Sequence, residues 1–142
     1  YFLTIQDVPF MLVEWMEEKV HSREIFLIMV VTLLLIVGLF MDVISAILII
    51  APLVFPAAML YEIDPIHLGV IFILGLEIGY LTPPIGINLF VASGLFNQPF
   101  SKVVTSTLPY AVCLFIALIF VVIFPEISLW LVNLLGEPVI GE

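Results

Sequence analysis

The sequence predicts an all-α integral membrane protein with a re-entrant helical hairpin, a discontinuous transmembrane helix and a final spanning helix. Its composition is 64% hydrophobic and 11% charged over 142 residues, whereas soluble domains have about half apolar and about a quarter charged residues. Its apolar residues form long runs, and prolines, glycines and polar residues interrupt these runs where a simple spanning helix would continue. We therefore expect one compact membrane unit.

The charge balance and the motif content exclude several classes of function. A formal net charge of −9 argues against nucleic acid or an anionic membrane surface as a partner, because both are negatively charged. The chain has a single cysteine, Cys113, and shows neither a phosphate-binding loop nor a Ser-His-Asp set. The sequence therefore predicts no catalytic residue.

Residues 1–24 are predicted to contain the end of a preceding helix and an amphipathic arm. Asp7 can cap a helix that has Pro9 in its first turn. From there to about Val20, apolar residues recur at helical spacing among several glutamates, which makes the segment too polar to span a bilayer. We expect this helix to lie in the membrane interface.

Residues 25–60 are strongly apolar, and two interpretations of them compete. Either two helices cross the membrane completely, or the stretch is a re-entrant hairpin that turns within the bilayer. The turn would fall at residues 38–42, Gly-Leu-Phe-Met-Asp, called the hairpin tip below. We favour the re-entrant hairpin because the tip is too apolar for an aqueous loop and Gly38 allows a sharp turn. Pro52 and Pro56 should bend its second arm.

The next apolar stretch, residues 66–97, is predicted to be a membrane helix that breaks in its middle. The interruption covers residues 79–88, Gly-Tyr-Leu-Thr-Pro-Pro-Ile-Gly-Ile-Asn. Its two prolines have no backbone N–H, so the carbonyls of Gly79 and Tyr80 should lose their usual donors. Free backbone groups at bilayer depth are tolerated where they line a polar cavity. Broken helices of this kind form binding sites in secondary transporters.

Residues 98–142 predict a cytoplasmic loop, a last transmembrane helix and an interfacial C-terminal segment. Lys102 places the loop in the cytoplasm by the positive-inside rule. The spanning helix should cover residues 108–124 and begin a little earlier, and Pro125 should end it. Residues 127–135 predict a short helix at the membrane surface.

Two acidic residues, Asp42 and Glu77, lie well inside apolar runs, whereas all three basic residues lie outside these runs. An unpaired charge at that depth costs at least a few kcal/mol. Each acid is therefore protonated, faces another part of the protein or holds a cation. Sodium suits the last alternative because hard cations bind carboxylate and carbonyl oxygens. Glu77 could instead brace the neighbouring helix.

Thr82 and Asn88 offer uncharged oxygen atoms on either side of the paired prolines. Thr82 could bind a cation or a substrate carboxylate, or both side chains could simply satisfy backbone groups that the prolines leave free. The half-helix after the interruption would direct its N-terminal N–H groups at the gap, where they favour an anion. A site where the carbonyl end of one half-helix faces the N–H end of the other suits joint binding of sodium and a carboxylate.

Five motifs occur in order: Gly-Leu-Phe-Met-Asp at 38–42, Pro-Leu-Val-Phe-Pro at 52–56, Ile-Asp-Pro-Ile-His-Leu-Gly at 63–69, Leu-Glu-Ile-Gly-Tyr-Leu-Thr-Pro-Pro-Ile-Gly-Ile-Asn-Leu-Phe-Val at 76–91 and Leu-Pro-Tyr at 108–110. This pattern resembles the C-terminal half of the large, DctM-like permease subunit of tripartite ATP-independent periplasmic (TRAP) transporters. The similarity extends over nearly the whole chain, and its Thr-Pro-Pro-x-Gly-x-Asn core is specific. We expect a fragment of a longer permease that holds about one of two inverted repeats.

The resemblance implies an elevator-type permease of the bacterial cytoplasmic membrane and not an enzyme. Sodium would drive uptake of an organic acid, such as a C4-dicarboxylate or sialic acid, that a periplasmic solute-binding protein delivers. A small membrane subunit would complete the complex. The hairpin at 25–60 and the broken helix at 66–97 would belong to the moving transport domain.

The same resemblance implies that the hairpin tip and the interruption build one sodium site with the substrate beside it. The expected sodium site comprises Gly38, Asp42, Gly79, Thr82, Pro83, Gly86 and Asn88. The expected substrate site comprises Thr82, Pro84 and Gly86. Backbone carbonyls would supply much of the ligation.

Three other functions remain open at this point. Another sodium-coupled symporter for dicarboxylates or citrate could use the same broken-helix plan, and dependence on a binding protein would distinguish it. An intramembrane aspartyl protease would need paired acids, but Asp42 and Glu77 are unlike residues and neither follows a Gly-Asp pattern. A purely structural membrane subunit would leave the Thr-Pro-Pro interruption unexplained.

Overall fold

The computed structural model describes residues 20, 22–83 and 86–135, and all regular secondary structure in these residues is α-helical. The helices are α1 (Arg23–Phe40), α2 (Val43–Leu60), α3 (Pro65–Tyr80), α4 (Ile87–Leu95), α5 (Phe100–Ile123) and α6 (Glu126–Leu135). Three of them, α1, α2 and α5, are long and apolar enough to cross a membrane. The all-helical membrane class is therefore confirmed. The predicted arm helix, Pro84 and the C-terminal tail lie outside the described residues.

The hairpin consists of α1 and α2, each 18 residues or about 27 Å long. The Ser22 hydroxyl accepts a hydrogen bond from the Ile25 N–H and caps α1. At the tip, Met41 and Asp42 are extended, and the Asp42 carboxylate accepts a hydrogen bond of 3.0 Å from the Ser45 N–H. This second cap starts α2 two residues after α1 ends. The chain therefore turns sharply at the predicted tip.

A second carboxylate starts α3. Asp64 accepts hydrogen bonds from the N–H groups of Ile66 and His67, at 2.7 and 3.4 Å, and Pro65 occupies the first helical turn. Just before it, the Tyr61 ring stacks on Phe26 with ring centroids 4.7 Å apart. The connector between α2 and α3 is thereby attached to the beginning of α1.

The core lies mainly between α1 and α3, which pack against each other more extensively than any other pair of the described helices. Every third or fourth residue of α1 is buried in this contact, as a helical stripe requires. The fully buried large side chains include Phe26, Leu34, Ile71 and Leu76. Burying such a side chain contributes about 1.5–3 kcal/mol. The first arm of the hairpin and the first half-helix therefore form one packed body.

Helix α5 runs back along the broken helix. At its start, the Phe100 ring stacks on Phe90 of α4, with centroids 4.4 Å apart. Beyond its end, Ser128 of α6 contacts His67 in the first turn of α3. Helix α5 has 24 residues and α3 has 16, so α5 is about 12 Å longer. The hairpin tip lies beside the end of α3 and not at the far end of α5.

One predicted boundary differs from the structure. The last spanning helix was expected at about 108–124, and it begins at Phe100. The polar residues in its first turns do not need water, because the hydroxyls of Thr105 and Thr107 donate to the carbonyls of Ser101 and Val103. The helix therefore includes residues 100–107, which precede the apolar stretch predicted to span the membrane.

The outer faces of the helices are strongly apolar. Large side chains with more than 60% of their surface exposed occur on α1, α2, α4, α5 and α6, for example Ile28, Leu48, Val91, Ile123 and Leu134. In α5 only Leu118 and Val121 are buried. Such surfaces are typical of chains that face lipid or further membrane helices.

Candidate cation and substrate site

The hairpin tip touches the end of α3 through backbone atoms. A Cβ atom added to Gly79 would lie 2.7 Å from the Gly38 Cα. A Cβ added to Gly38 would lie 2.8 Å from the Leu76 carbonyl oxygen. Real Cβ atoms do not approach other atoms this closely, so both positions require glycine. The structure thus brings together two of the predicted site residues that are 41 positions apart in sequence.

Helix α3 ends at Tyr80 and α4 begins at Ile87, and the residues between them, 81–86, are called the break. The Thr82 N–H donates to the Gly79 carbonyl at 3.1 Å in a tight turn. The Gly79 carbonyl thus lacks its usual donor four residues later, where Pro83 has no N–H, but it accepts a hydrogen bond from a nearer residue. The helix tightens over its last turn before the prolines, so a nearer N–H replaces the missing one.

Carbonyl oxygens converge on Gly86 at the other end of the break. Gly86 has φ +43°, the left-handed region that favours glycine. A Cβ added to it would lie 3.0 Å from the Tyr80 carbonyl oxygen and 3.1 Å from the Thr82 carbonyl oxygen. The break therefore folds back so that two backbone oxygens from its start approach Gly86.

Helix α4 begins at the break without a side-chain cap. Gly86 occupies the N-cap position, and its own carbonyl accepts the N–H groups of Leu89 and Phe90, at 2.8 and 3.3 Å. As a glycine, this N-cap residue provides no side-chain hydrogen bond to the first N–H groups of the helix. An uncapped helix start carries a partial positive charge that attracts anions. Backbone oxygens and backbone N–H groups thus meet at the same break.

The remaining predicted site residues occupy different environments. The Thr82 hydroxyl donates to the Ile78 carbonyl at 2.6 Å, which is the backbone-satisfying role considered from the sequence. Its lone pairs stay available as acceptors. Asp42 is an exposed helix cap, and Pro83 and Asn88 are exposed at the break. The structure does not bury these three side chains against one another.

Two polar side chains that were not predicted to be buried are buried. Tyr80, the last residue of α3, is 6% exposed. His67, in the first turn of α3, is fully buried, with Nδ1 2.6 Å from the Ser128 hydroxyl oxygen. The contact with Ser128 in α6, 61 residues later, is a tertiary contact, which the local sequence cannot predict.

The described basic residues are Arg23 and Lys102. Arg23 is the first residue of α1, and Lys102 is in the first turn of α5, where its ammonium group donates to the Gln98 side chain at 2.9 Å. The fold and the break define a polytopic membrane protein whose backbone polar groups converge where a membrane helix is interrupted.

A known family has this sequence pattern. The family described as "Tripartite ATP-independent periplasmic transporter, DctM component" matches residues 1–127. The chain belongs to this family, and the resemblance noted in the sequence is thereby confirmed.

Three curated relatives illustrate the similarity. The chain is 43% identical over 136 residues to the C4-dicarboxylate TRAP transporter large permease protein DctM of Pseudomonas aeruginosa. These 136 residues cover 96% of this chain and 32% of the relative. It is 39% identical over 134 residues to the sialic acid TRAP transporter large permease protein SiaM of Vibrio cholerae, 94% of this chain and 28% of the relative. It is 34% identical over 128 residues to the isethionate TRAP transporter permease protein DctMQ of Oleidesulfovibrio alaskensis, 90% of this chain and 20% of the relative.

The chain thus spans about a third of the length of the DctM relatives, and less of the DctMQ protein. All three relatives are named as transporter permeases and not as enzymes.

Proposed function

We propose that this chain forms part of the permease subunit of a sodium-coupled, binding-protein-dependent TRAP transporter that imports an organic acid. The observation that supports it most is the contact between Gly38 and Gly79, because it places the hairpin tip against the last turn of α3, immediately before the break. Backbone interruptions that lie close together within a membrane protein concentrate polar groups where lipid cannot satisfy them. Transporters bind their ions and substrates at such places.

Sodium is the proposed coupling ion, with the carboxylate of the substrate bound beside it. The carbonyl oxygens of Tyr80 and Thr82 near Gly86 offer the neutral oxygen ligands that a hard cation prefers. The uncapped start of α4 offers N–H groups to an anion. A bound sodium ion would neutralise part of the negative potential of Asp42 and Glu77 and so favour the arrival of an anionic substrate.

The re-entrant course of the hairpin is part of this proposal. The tip contacts the end of α3, whereas α5, which is about 12 Å longer than α3, reaches past the break to Phe90 in the first turn of α4. If α5 spans the bilayer, the tip lies within it. The tight packing of α1 on α3 supports a rigid moving unit made of α1 to α4, as an elevator mechanism requires.

The substrate and partners follow the same proposal. Relatives are named for a C4-dicarboxylate, sialic acid and 2,3-diketo-L-gulonate, which are carboxylic acids, and for isethionate, which is a sulfonic acid, so all four are organic acids. The chain covers only 20% of the DctMQ relative against 32% of the Pseudomonas DctM protein, so the former has additional sequence. This supports a small membrane subunit as partner. The complex would lie in the bacterial cytoplasmic membrane and receive its substrate from a periplasmic binding protein.

The test is uptake by the complete permease, reconstituted with its small subunit and supplied with its binding protein and a sodium gradient. We expect Thr82→Ala and Asp42→Ala to raise the sodium concentration for half-maximal uptake by roughly threefold to tenfold, the effect of one lost ligand. Both proteins should still insert in the membrane.

Two matched variants control for the local roles of these side chains. Thr105→Ala removes a hydroxyl that also bonds to the carbonyl four residues earlier, and Asp64→Ala removes a carboxylate that also caps a helix. Neither should change the sodium dependence. Equal sodium dependence in all four variants would contradict the proposed site, and uptake without the binding protein would indicate a symporter of another class.

A further inference from the structure

Tyr80 has a hydroxyl group that no part of the described chain uses. The side chain is 6% exposed, and its hydroxyl oxygen is buried without a hydrogen-bond partner among the described residues. A buried polar group without a partner costs free energy, and native proteins rarely keep one unless it serves a purpose. Tyr80 is the last residue of α3, so this hydroxyl belongs to the structure immediately before the break.

This hydroxyl is removed from solvent, and the charged side chains that influence it are acidic. They are Asp42, at the hairpin tip, and Glu77, one turn earlier in α3. The carbonyl oxygen of Tyr80 itself is one of the two that approach Gly86. The described basic residues, Arg23 and Lys102, lie near the first turns of α1 and α5. A missing partner in this environment is more readily a cation than an anion.

We infer that the Tyr80 hydroxyl is a ligand of the coupling cation that the hairpin tip and the break hold between them. The inference rests on the proposed function. A phenol oxygen can direct a lone pair at sodium while it keeps its hydrogen. The oxygen is enclosed in the structure, so its surroundings must move slightly to admit the ion. Binding then satisfies a group that is unsatisfied in the empty site.

A purely structural role predicts something different. If the hydroxyl bonded to a group from the rest of the permease, that group would have to reach an oxygen that this chain already encloses. A small ion needs a far smaller opening than a side chain on another helix. A structural hydroxyl would also stabilise the protein in the absence of sodium, whereas an unsatisfied one would not.

The experiment compares Tyr80→Phe with the unmodified complete permease complex. Thermal unfolding is measured without sodium and across a sodium chloride titration, with choline chloride holding ionic strength constant. Uptake is measured across the same titration at a saturating concentration of substrate-loaded binding protein. Tyr110→Phe is the matched control, because Tyr110 is 70% exposed on α5.

We expect Y80F to unfold at the same or a higher temperature than the unmodified protein when sodium is absent. Its sodium-induced rise in Tm should be smaller. Its sodium concentration for half-maximal uptake should be roughly threefold to tenfold higher. The half-saturating substrate concentration at saturating sodium should not change, and Y110F should match the unmodified protein throughout.

Three results would overturn the inference. An unchanged sodium response in Y80F would show that the hydroxyl is not a ligand. A lower Tm without sodium, or failure of Y80F to fold, would show that the hydroxyl has a structural partner. A complete absence of sodium response in the unmodified complex would instead contradict the proposed sodium coupling itself, and the two failures are therefore distinguishable.

Discussion

The two ends of α3 differ in how their polar groups are hydrogen-bonded. At the first end, the Asp64 carboxylate caps the helix, and the Tyr61 hydroxyl donates to the Val20 carbonyl at 2.9 Å. His67 bonds to the Ser128 hydroxyl, which in turn donates to the Pro125 carbonyl at 3.0 Å. At this end, His67 Nε2 is the buried polar side-chain atom that lacks a partner among the described residues.

The second end of α3 also has one buried polar atom without a partner among the described residues, the Tyr80 hydroxyl oxygen, but it is otherwise built differently. No side-chain hydrogen bond from the N-cap residue caps the following half-helix, and Gly38 and Gly79 replace side-chain contact with backbone contact. Polar groups that are satisfied internally stabilise a fold, whereas groups left open can bind a ligand. The first end therefore anchors α3 to α1 and α6, and the second end holds the proposed site.

The largest expected effect comes from breaking the backbone contact at the second end. In Gly79→Ala, the new methyl group would lie 2.7 Å from the Gly38 Cα and 2.9 Å from the Gly38 carbonyl carbon, so α1 and α3 must move apart. Overpacking of this kind costs about 1–3 kcal/mol. We expect sodium-driven uptake to fall at least about tenfold, which 1.4 kcal/mol would produce.

Gly69→Ala is the matched control on the same helix, since a Cβ at Gly69 would meet nothing within 4 Å. It should leave uptake unchanged, measured in the same vesicles and normalised to the amount of permease. Equal uptake by the two variants would mean that the glycine contact does not position the site.

A smaller effect is expected at the far side of the break. Gly86→Ala places a side chain at φ +43°, which costs about 1–2 kcal/mol for a non-glycine residue. The added methyl would also lie 2.8 Å from the Leu89 side chain, which can move. We expect weaker sodium binding, seen as a smaller sodium-induced rise in Tm.

Gly94→Ala provides the comparison within α4, because a Cβ there would have open space around it. If G86A kept the full sodium-induced rise while G94A lost it, the assignment of the cation to the break would be wrong.

The smallest effect is expected at the first end. Tyr61→Phe removes the hydrogen bond to the Val20 carbonyl, and a typical hydrogen bond contributes about 0.5–1.5 kcal/mol to stability. The Tm should decrease by a few degrees while the sodium dependence of uptake stays the same. A shift in sodium dependence without loss of Tm would contradict the contrast between the two ends.

Much of the fold could be predicted from local sequence. The apolar runs indicate the membrane helices, and the paired prolines correctly locate the interruption, because a missing N–H is a property of the residue itself. Asp42 and Asp64 occupy helix starts, as short acidic side chains often do. The start of α5 was misplaced because hydroxyls that bond within a helix look the same in sequence as hydroxyls in a loop.

The site could be predicted only in part. The tip and the break were recognised separately from Gly38 and the prolines, and their association came from a family resemblance. Their actual contact depends on the register of α1 against α3, which only tertiary packing sets. Tyr80 was missed because a tyrosine in an apolar helix is unremarkable until its hydroxyl is seen to be buried without a partner. The hydrogen bond from the Thr82 N–H to the Gly79 carbonyl likewise depends on how the last helical turn tightens.

The most direct test of the central claim is a map of the complete permease in sodium, at a resolution that shows bound ions. The account predicts a sodium peak between the hairpin tip, residues 38–42, and the break, residues 81–86, within bonding distance of the Tyr80 or Thr82 carbonyl oxygen. A continuous helix through the break, or a tip exposed to bulk water with sodium bound elsewhere, would contradict it.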